Sequence, residues 1–419
     1  MTSLRLLLAF LTLEISCSAE ETVVLGMHRR SEGQIEVVAT VPSSTDFYTD
    51  FVRPKRPVLM KNAVPLSSTP MKWTDDYLSS KYGNLEVELE TGKKEDRSKF
   101  GFFSTLKKFI ENYKKKSVYM IGSLPKPLRN DWSIPQCLSC GGFTANLFDA
   151  RIWFSSGGTS SVLHVDQYEN LHCVVFGSKK LILMDSQYIH VIENYNYKKG
   201  YYEMDVDKVD LDEFPSLRKI PWFEATVEKG DCIYIPYLWL HQVRSYADEE
   251  ERNLAVNLWW SRFRFNESDC FTNDAVRQKS LNDIHFKPEL STRDMLMDLA
   301  SNGFLSADDF ASTLHERVGL EKESARKAFV KLSGGGYEDI SVEKIENLEY
   351  ETLVSLTNYL QQLAANEQMN NDESQNDYDD SDSFQDDIPD ELKDMAIYPE
   401  DENADADYDN NELEKKTEL

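Results

Sequence analysis

The residues best suited to metal chemistry lie at the centre of the stretch 161–179. His164 and Asp166 are two residues apart, and residues i and i+2 of a β-strand point to the same face. An imidazole and a carboxylate therefore converge there on one point. A third ligand is predicted at His241, 75 residues after Asp166 (241 − 166). Two histidines and one carboxylate on one side of an ion form the facial triad that binds non-haem Fe(II) and leaves three positions open.

The segments that must position these side chains are predicted to be short strands separated by glycine-rich turns. There are eight of them, which is the number of strands in a jelly roll, a sandwich of two β-sheets. The stretch 186–220 between its two halves is too long for a hairpin loop, and insertions of this length often form substrate lids. The predicted strands are 148–155, 161–166, 171–176, 179–185, 222–227, 231–236, 241–246 and 254–260.

The flanking regions have different patterns, so the fold class predicted is mainly β with helical flanks. Residues 20–145 are a mixed α/β preface in which 103–113 is predicted as a helix capped by Ser104. The jelly-roll core occupies 146–265, and 275–366 is a C-terminal α-helical domain of amphipathic segments. Residues 367–419 are low-complexity and acidic, which predicts a disordered tail.

The core resembles the jumonji-C, cupin-like 2-oxoglutarate oxygenases, in pattern most like the small protein hydroxylases of the factor-inhibiting-HIF type. The resemblance covers about 47–260, roughly half of the chain. Its motifs are His164-x-Asp166, the lysine turn Gly177-Ser178-Lys179, Gly230-Asp231-Cys232-Ile233-Tyr234-Ile235-Pro236, His241 and Asn257-Leu258-Trp259.

This resemblance implies a double-stranded β-helix with Fe(II) on His164, Asp166 and His241, and no catalytic residue beyond the metal site. It also implies 2-oxoglutarate as co-substrate, with Lys179 pairing with its far carboxylate as a point charge. Periodicity does not distinguish Lys179 from Lys180, and the resemblance selects Lys179. Four further residues match positions beside the iron or the co-substrate: Ser161, Asn170, Asn257 and Tyr119.

The two chain ends predict an address in the lumen of the endoplasmic reticulum. Residues 1–19 have the charge, apolar run and small residues of a signal peptide. The last four residues, Lys-Thr-Glu-Leu, are close to the Lys-Asp-Glu-Leu retention signal, which implies the retention receptor as a partner. Asn266-Glu267-Ser268 is a glycosylation sequon.

Five cysteines remain after signal removal, and in an oxidising lumen Cys137 and Cys140 are expected to form a small disulfide. A CxxC pair also fits a redox or zinc site. There is no second pair for zinc, and the glycine-flanked pair predicts a loop, so the structural disulfide is favoured. Cys173 and Cys232 are expected to be buried thiols on strands.

The helical domain contains a turn that resembles a calcium-binding EF-hand loop. Residues 298–309 have glycine at loop position 6, an apolar residue at 8 and an acid at 12, but Ala300 at position 3. A second turn near Gly334 lacks the ligands, so weak or absent Ca²⁺ binding is expected. The acidic tail either binds Ca²⁺ loosely or is a solubilising spacer. In related proteins, helices after the jelly roll can mediate dimerisation, which makes a homodimer an expectation.

The net charge and its distribution along the chain limit the classes of partner that are expected. The net charge is −27 over 419 residues, and 367–419 hold 21 acidic residues and 3 lysines (3 − 21 = −18), which leaves −9 for the rest. Nucleic acid is therefore not expected as a partner, and after the signal peptide no run is long enough for a membrane span. The function predicted is an Fe(II)/2-oxoglutarate oxygenase that hydroxylates a protein side chain in the secretory pathway. The alternative is a non-catalytic lumenal scaffold or low-affinity Ca²⁺ buffer.

Overall fold

Two sheets pack face to face and form the centre of the molecule. The computed structural model describes residues 22–64, 69–96, 101–192, 197–198, 201–271, 279–300, 302–375 and 388–397. Strands are numbered β1–β19 along the chain. The larger sheet has nine strands in the spatial order β2 (Glu36–Val38), β3 (Val58–Met60), β15 (Cys232–Ile235), β9 (Glu169–Phe176), β17 (Asn253–Trp260), β7 (Leu147–Ser155), β6 (Val118–Ser123), β4 (Glu86–Thr91) and β5 (Phe102–Thr105).

The smaller sheet contains the strands of two predicted metal ligands and of Lys179. Its spatial order is β11 (Tyr197–Lys198), β12 (Tyr201–Tyr202), β8 (Leu163–His164), β16 (Leu240–Tyr246), β10 (Ser178–Met184) and β14 (Phe223–Val227). Two short pairs complete the described strands: β1 (Thr22–Val23) with β13 (Val209–Asp210), and β18 (Phe304–Leu305) with β19 (Ile340–Ser341). All eight strands predicted for the jelly roll are present, so the predicted fold class is confirmed.

Apolar side chains from both sheets meet between them. Val174, Ile233 and Ala255 of the larger sheet cluster with Leu181 and Val227 of the smaller one, and all are buried. Burying apolar area of this kind contributes about 25 cal/mol per Å². This packing fixes the two sheets relative to each other, so side chains at the open end of the sandwich are held on a rigid frame.

Helices cover the outside of the larger sheet and build the C-terminal region. Residues 103–113 do not form one helix, since strand β5 occupies the first part. Thr105 rather than Ser104 caps the helix that follows, accepting from Lys108 N. The α-helices described are Ser44–Phe47, Asp75–Tyr82, Leu106–Asn112, Leu290–Leu299, Ala307–Val318, Lys322–Ser333, Val342–Glu346 and Tyr350–Gln375. Across the described residues, no helix combines the length and apolar character needed to cross a bilayer.

The cysteine pairing differs from the prediction. Cys140 forms a disulfide with Cys270, not with Cys137, which remains a buried thiol whose pKa is raised to about 12 by burial. Cys173 and Cys232 are also a disulfide rather than two thiols. The cause is sheet register, because these two residues are direct partners on the neighbouring strands β9 and β15.

The prediction of disorder over all of 367–419 is wrong for two parts of it. The last helix continues to Gln375, and 388–397 packs on the core of the larger sheet. Leu392 and Met395 are 1% exposed, and Ser104 Oγ donates to Met395 O at 2.6 Å. Apolar side chains thus anchor this part of the acidic tail on the core. The expected signal peptide and the last four residues lie outside the described residues.

Candidate metal centre and co-substrate pocket

His164, Asp166 and His241 come together as the sequence predicts. One ligand atom from each lies within 4.8 Å of the others. His164 on β8 is the direct cross-strand partner of His241 on β16, and their ring centroids are 4.1 Å apart. The Nε2 atom of His241 is 3.6 Å from Asp166 Oδ2. This spacing suits three ligands on one face of a single ion.

Both imidazoles are held in the tautomer that a metal needs. His164 Nδ1 lies 2.9 Å from Val162 O, and His241 Nδ1 lies 2.8 Å from Trp239 O. Carbonyl oxygens only accept, so each Nδ1 donates its hydrogen there. The Nε2 lone pairs are consequently directed to the centre of the triad, as in metal-binding histidines whose other nitrogen is fixed by an outer partner.

A strained turn connects the two halves of the triad. Leu238 has a φ of 63°, a left-handed conformation rare for a branched side chain. Its N–H donates to Asp166 O at 2.9 Å, and Glu169 accepts from Tyr237 N at 3.0 Å. Burial raises the pKa of Glu169 to about 7. The turn that precedes His241 is therefore fixed by the segment that carries Asp166.

The pocket above the triad has a volume of about 140 Å³. All eight site residues predicted from the sequence line it: Tyr119, Ser161, His164, Asp166, Asn170, Lys179, His241 and Asn257.

Lys179 is the buried cation of this pocket, at 5% exposure, whereas Lys180 points outward. Its Nζ donates to Ser245 Oγ at 2.8 Å, and Ser245 is its partner on strand β16. Among the described residues, no carboxylate lies within ion-pair distance of Lys179. Burial alone lowers its pKa to about 7. A buried ammonium without a counter-charge is unfavourable, so this position suits an anionic ligand.

The turn before this lysine requires glycine. Gly177 has a φ of 70°, and an added Cβ would lie 2.3 Å from Tyr246 O. Close approach of β10 to the end of β16 thus places Lys179 beside Ser245.

The other four residues predicted beside the iron or the co-substrate have partners within the chain. Ser161 Oγ accepts from Val243 N at 2.9 Å and donates to Val162 O at 3.0 Å, which fixes the strand leading to His164. The Tyr119 hydroxyl donates to Glu90. Asn170 Nδ2 donates to Asp166 Oδ2 at 2.7 Å, and Asn257 Nδ2 donates to Asn170 Oδ1 at 3.0 Å.

Some pocket residues were not found from the sequence. Lys93 and Glu95 reach the pocket from the loop after β4, which pairs with Ser160 through backbone hydrogen bonds. The predicted lid, 186–220, contributes none of its described residues to the lining; its apolar side chains pack instead beside the smaller sheet. His172 also lines the pocket, and its Nδ1 lies 2.7 Å from Asn257 Oδ1. It has no carboxylate at ligand spacing, so the sequence pattern does not identify it as a site residue.

Asn266 of the sequon is on the surface, and its side chain accepts from Ser268 Oγ at 2.6 Å.

Comparison with known families adds a second line of support to this geometry. A family model described as a cupin-like domain matches residues 44–266, which is more than half of the chain. The chain belongs to this family. The relatives that match the chain include a protein named for its jumonji-C domain.

Three relatives show how similar the chain is to known proteins and over what length. The chain is 28% identical to Jumonji C domain-containing protein 5 of Drosophila melanogaster over 52% of this chain and 58% of that protein. It is 31% identical to lysine-specific demethylase JMJ30 of Arabidopsis thaliana over 51% of this chain and 52% of that protein. It is 28% identical to tRNA wybutosine-synthesizing protein 5 of Mus musculus over 56% of this chain and 80% of that protein. The chain spans about half the length of the first two relatives, so the shared part is the jumonji-C domain.

Proposed function

We propose that this chain is an Fe(II)- and 2-oxoglutarate-dependent oxygenase that hydroxylates a protein side chain in the lumen of the endoplasmic reticulum. The observation that carries the proposal is the opening of a His-Asp-His triad into the same small pocket as a buried lysine, which has no ion-pair partner in the described part of the chain. Family membership supports it.

The donor set fits Fe(II). Two imidazoles and one carboxylate are the facial ligands of non-haem iron, and the Nδ1 hydrogen bonds of both histidines leave their Nε2 atoms to face the metal. 2-Oxoglutarate fits as well, because it carries a carboxylate at each end. One end suits the metal, and the other suits Lys179, whose charge is stabilised when an anion is beside it. Bound iron and 2-oxoglutarate would supply the oxidising chemistry with oxygen as the oxidant: one oxygen atom would enter the substrate side chain, and the other would enter the succinate formed as the keto acid loses carbon dioxide.

The chain's own residues bind the co-substrate, orient the metal ligands and exclude water. Lys179 and Ser245 hold the far carboxylate, and Asn170 holds Asp166 in the orientation that faces both histidines. The rim is aromatic, since the rings of Tyr168 and Trp259 lie 4.2 Å apart and Arg151 stacks over Trp259. An aromatic rim over a closed pocket keeps water away and suits a side chain presented by a protein.

The names of the relatives suggest other substrates, namely lysine side chains and tRNA. A body with a net charge of −9 outside the acidic tail has no electrostatic attraction to tRNA, which favours a protein substrate. The lumenal address is supported by the two disulfides, Cys140–Cys270 and Cys173–Cys232, because disulfides persist in oxidising compartments. The same address is proposed from the signal-like and retention-like segments of the sequence, which imply the retention receptor as a partner. Loose Ca²⁺ binding by the tail and a homodimer are further expectations.

One assay tests the catalytic part. Purified protein loaded anaerobically with Fe(II), then given ascorbate, oxygen and labelled 2-oxoglutarate, should bind one iron per chain and release labelled succinate. Protein that folds but binds no iron would overturn the proposal and favour a non-catalytic scaffold or Ca²⁺ buffer.

A separate assay tests the address. An endoglycosidase that removes ER-type glycans should shift the electrophoretic mobility of the wild-type protein and leave an Asn266→Gln variant unchanged. Wild-type protein without such a glycan, found with reduced cysteines in the cytosol, would contradict the lumenal proposal.

A further inference from the structure

A chain of buried polar side chains runs from the triad to His172. Asn170 Nδ2 donates to Asp166 Oδ2 at 2.7 Å, Asn257 Nδ2 donates to Asn170 Oδ1 at 3.0 Å, and His172 Nδ1 lies 2.7 Å from Asn257 Oδ1. The three residues beyond Asp166 are 1%, 4% and 5% exposed. His172 and Asn257 are direct partners across β9 and β17, so sheet register holds the chain together.

The direction of every hydrogen bond in this chain follows from its first member. The Asp166 carboxylate only accepts, so Asn170 must present its NH₂ group to it. The Asn170 carbonyl then faces Asn257 and accepts from the NH₂ group there. Asn257 has only its carbonyl left for His172, so His172 must carry its proton on Nδ1. Reversing any one amide would place two acceptors, or two donors, against each other.

The other nitrogen of His172 is left as an acceptor in the pocket. His172 Nε2 is buried and has no hydrogen-bond partner in the described part of the chain. Burial lowers the pKa of His172 to about 3, with Lys179 adding to the effect. The ring is therefore neutral at pH 7. The pocket thus has an ammonium at Lys179 that attracts a carboxylate, and a lone pair at His172 that does not.

We propose that His172 is a positioning residue of the metal centre: its Nδ1–H, acting through Asn257 and Asn170, orients Asp166 toward the metal. The inference rests on the proposed function, since it assigns a role toward the metal of that site.

Side chains that keep or remove the Nδ1 donor test the relay. In His172→Asn, the amide nitrogen is as many bonds from Cβ as Nδ1 is, so the donor to Asn257 is retained. In His172→Leu it is lost, and the buried Asn257 carbonyl is left unpaired. The control is His28→Asn, because His28 is also a buried histidine with a lowered pKa, about 4, and does not line the pocket.

The readout is the affinity for Mn(II), measured on full-length protein by the electron paramagnetic resonance signal of the free ion. Loss of an outer-shell partner typically weakens metal binding about 10- to 100-fold. We expect that loss for His172→Leu, and affinities within about threefold of wild type for His172→Asn and His28→Asn. Asn257→Asp gives a second route if His172→Leu does not fold, because an aspartate cannot donate to Asn170 and should also weaken binding about 10- to 100-fold.

The outcomes separate this inference from the function on which it rests. Wild-type protein that binds no Mn(II) contradicts the proposed metal centre itself. Wild-type binding with equal affinity in His172→Leu and Asn257→Asp contradicts the relay and leaves the metal centre standing. Equal weakening in His172→Leu and His172→Asn also contradicts it, since a loss that is independent of the Nδ1 donor is a packing effect.

Discussion

Two regions of this chain place acidic side chains where a metal ion could be expected, the jelly-roll pocket and the helix–loop–helix units at 290–346. In the pocket, Asp166 and two imidazoles face one point, and the outer atoms of these ligands are fixed by backbone carbonyls and Asn170. In the helical region, the ligand-like groups already have partners within the chain. The difference shows that residue types alone do not define a metal site, because what else each ligand touches decides whether it is available.

The EF-hand-like loops show how such groups become occupied. Asp298, at loop position 1, accepts from Arg262 at 2.8 Å and from the Tyr237 hydroxyl. Asp309, at position 12, accepts from Ser306 Oγ at 2.7 Å in the cap of the next helix. In the second unit, Lys344 donates to Ser333 O at 2.8 Å, so a backbone carbonyl beside the turn already has a cationic partner. Strands β18 and β19 still join the two loops, which keeps the shape of a paired unit.

Removing a triad ligand should have the largest effect. Asp166→Ala should lower iron affinity and succinate release by more than about 100-fold, the upper end of the loss caused by outer-shell partners. Asp185→Ala, which removes a carboxylate outside the pocket lining, should retain both. Iron content after anaerobic loading measures this, and an Asp166→Ala protein that retains full iron would show that the pocket is not the metal centre.

Replacing the buried cation should have the next largest effect. Hydrogen bonds to charged groups contribute about 1.5–3 kcal/mol, so Lys179→Met should weaken 2-oxoglutarate binding about 10- to 150-fold. Lys180→Met, one residue away on the outer face, should bind it as wild type does. Calorimetric titration of the Mn(II)-loaded protein provides the affinities. Equal affinities for the two variants would assign the anchoring to a different residue.

Binding of 2-oxoglutarate should also depend on pH with a definite sign. The pKa of Lys179 in the free pocket is about 7, lowered by burial, and a bound carboxylate raises it. Above pH 7 the free lysine is mostly neutral, so each binding event takes up a proton and affinity falls about tenfold per pH unit. Titrations in buffers of different ionisation enthalpy measure this uptake. Proton release, or affinity constant from pH 7 to 9, would contradict it.

The smallest effect is expected in the helical region. Calcium at about 1 mM, where the weakest calcium modules bind, should leave the thermal midpoint unchanged, because Asp298 and Ser333 O already have Arg262 and Lys344 as partners. Asp298→Asn should lower the midpoint equally with calcium and with chelator, since it weakens the contact with Arg262. A calcium-dependent rise in the wild-type midpoint would show that the loops bind calcium and that the helical region also contains a metal site.

Local patterns predicted more of the site than of its surroundings. Spacing of two placed His164, at the end of β8, and Asp166, just beyond it, on the same side of the pocket. The resemblance to the family selected Lys179, and the glycine turn before it agrees with that choice. Contacts that depend on register were missed. His172 meets Asn257 only because β9 and β17 pair in one alignment, and Cys173 meets Cys232 for the same reason on β9 and β15. A one-residue change of register would reverse both faces.

The sequence by itself determined the eight-strand core and the His164–Asp166 pair, because alternation, turn residues and short spacings are local properties of the chain. His241 and Lys179 came from the order of motifs that the chain shares with the family. Only the tertiary structure decided which cysteines pair, which loop reaches the pocket, and that Leu392 and Met395 of the acidic tail return to the core. Each of these joins segments far apart in sequence. Their energies come from burial and hydrogen bonding that exist only after the two sheets have packed.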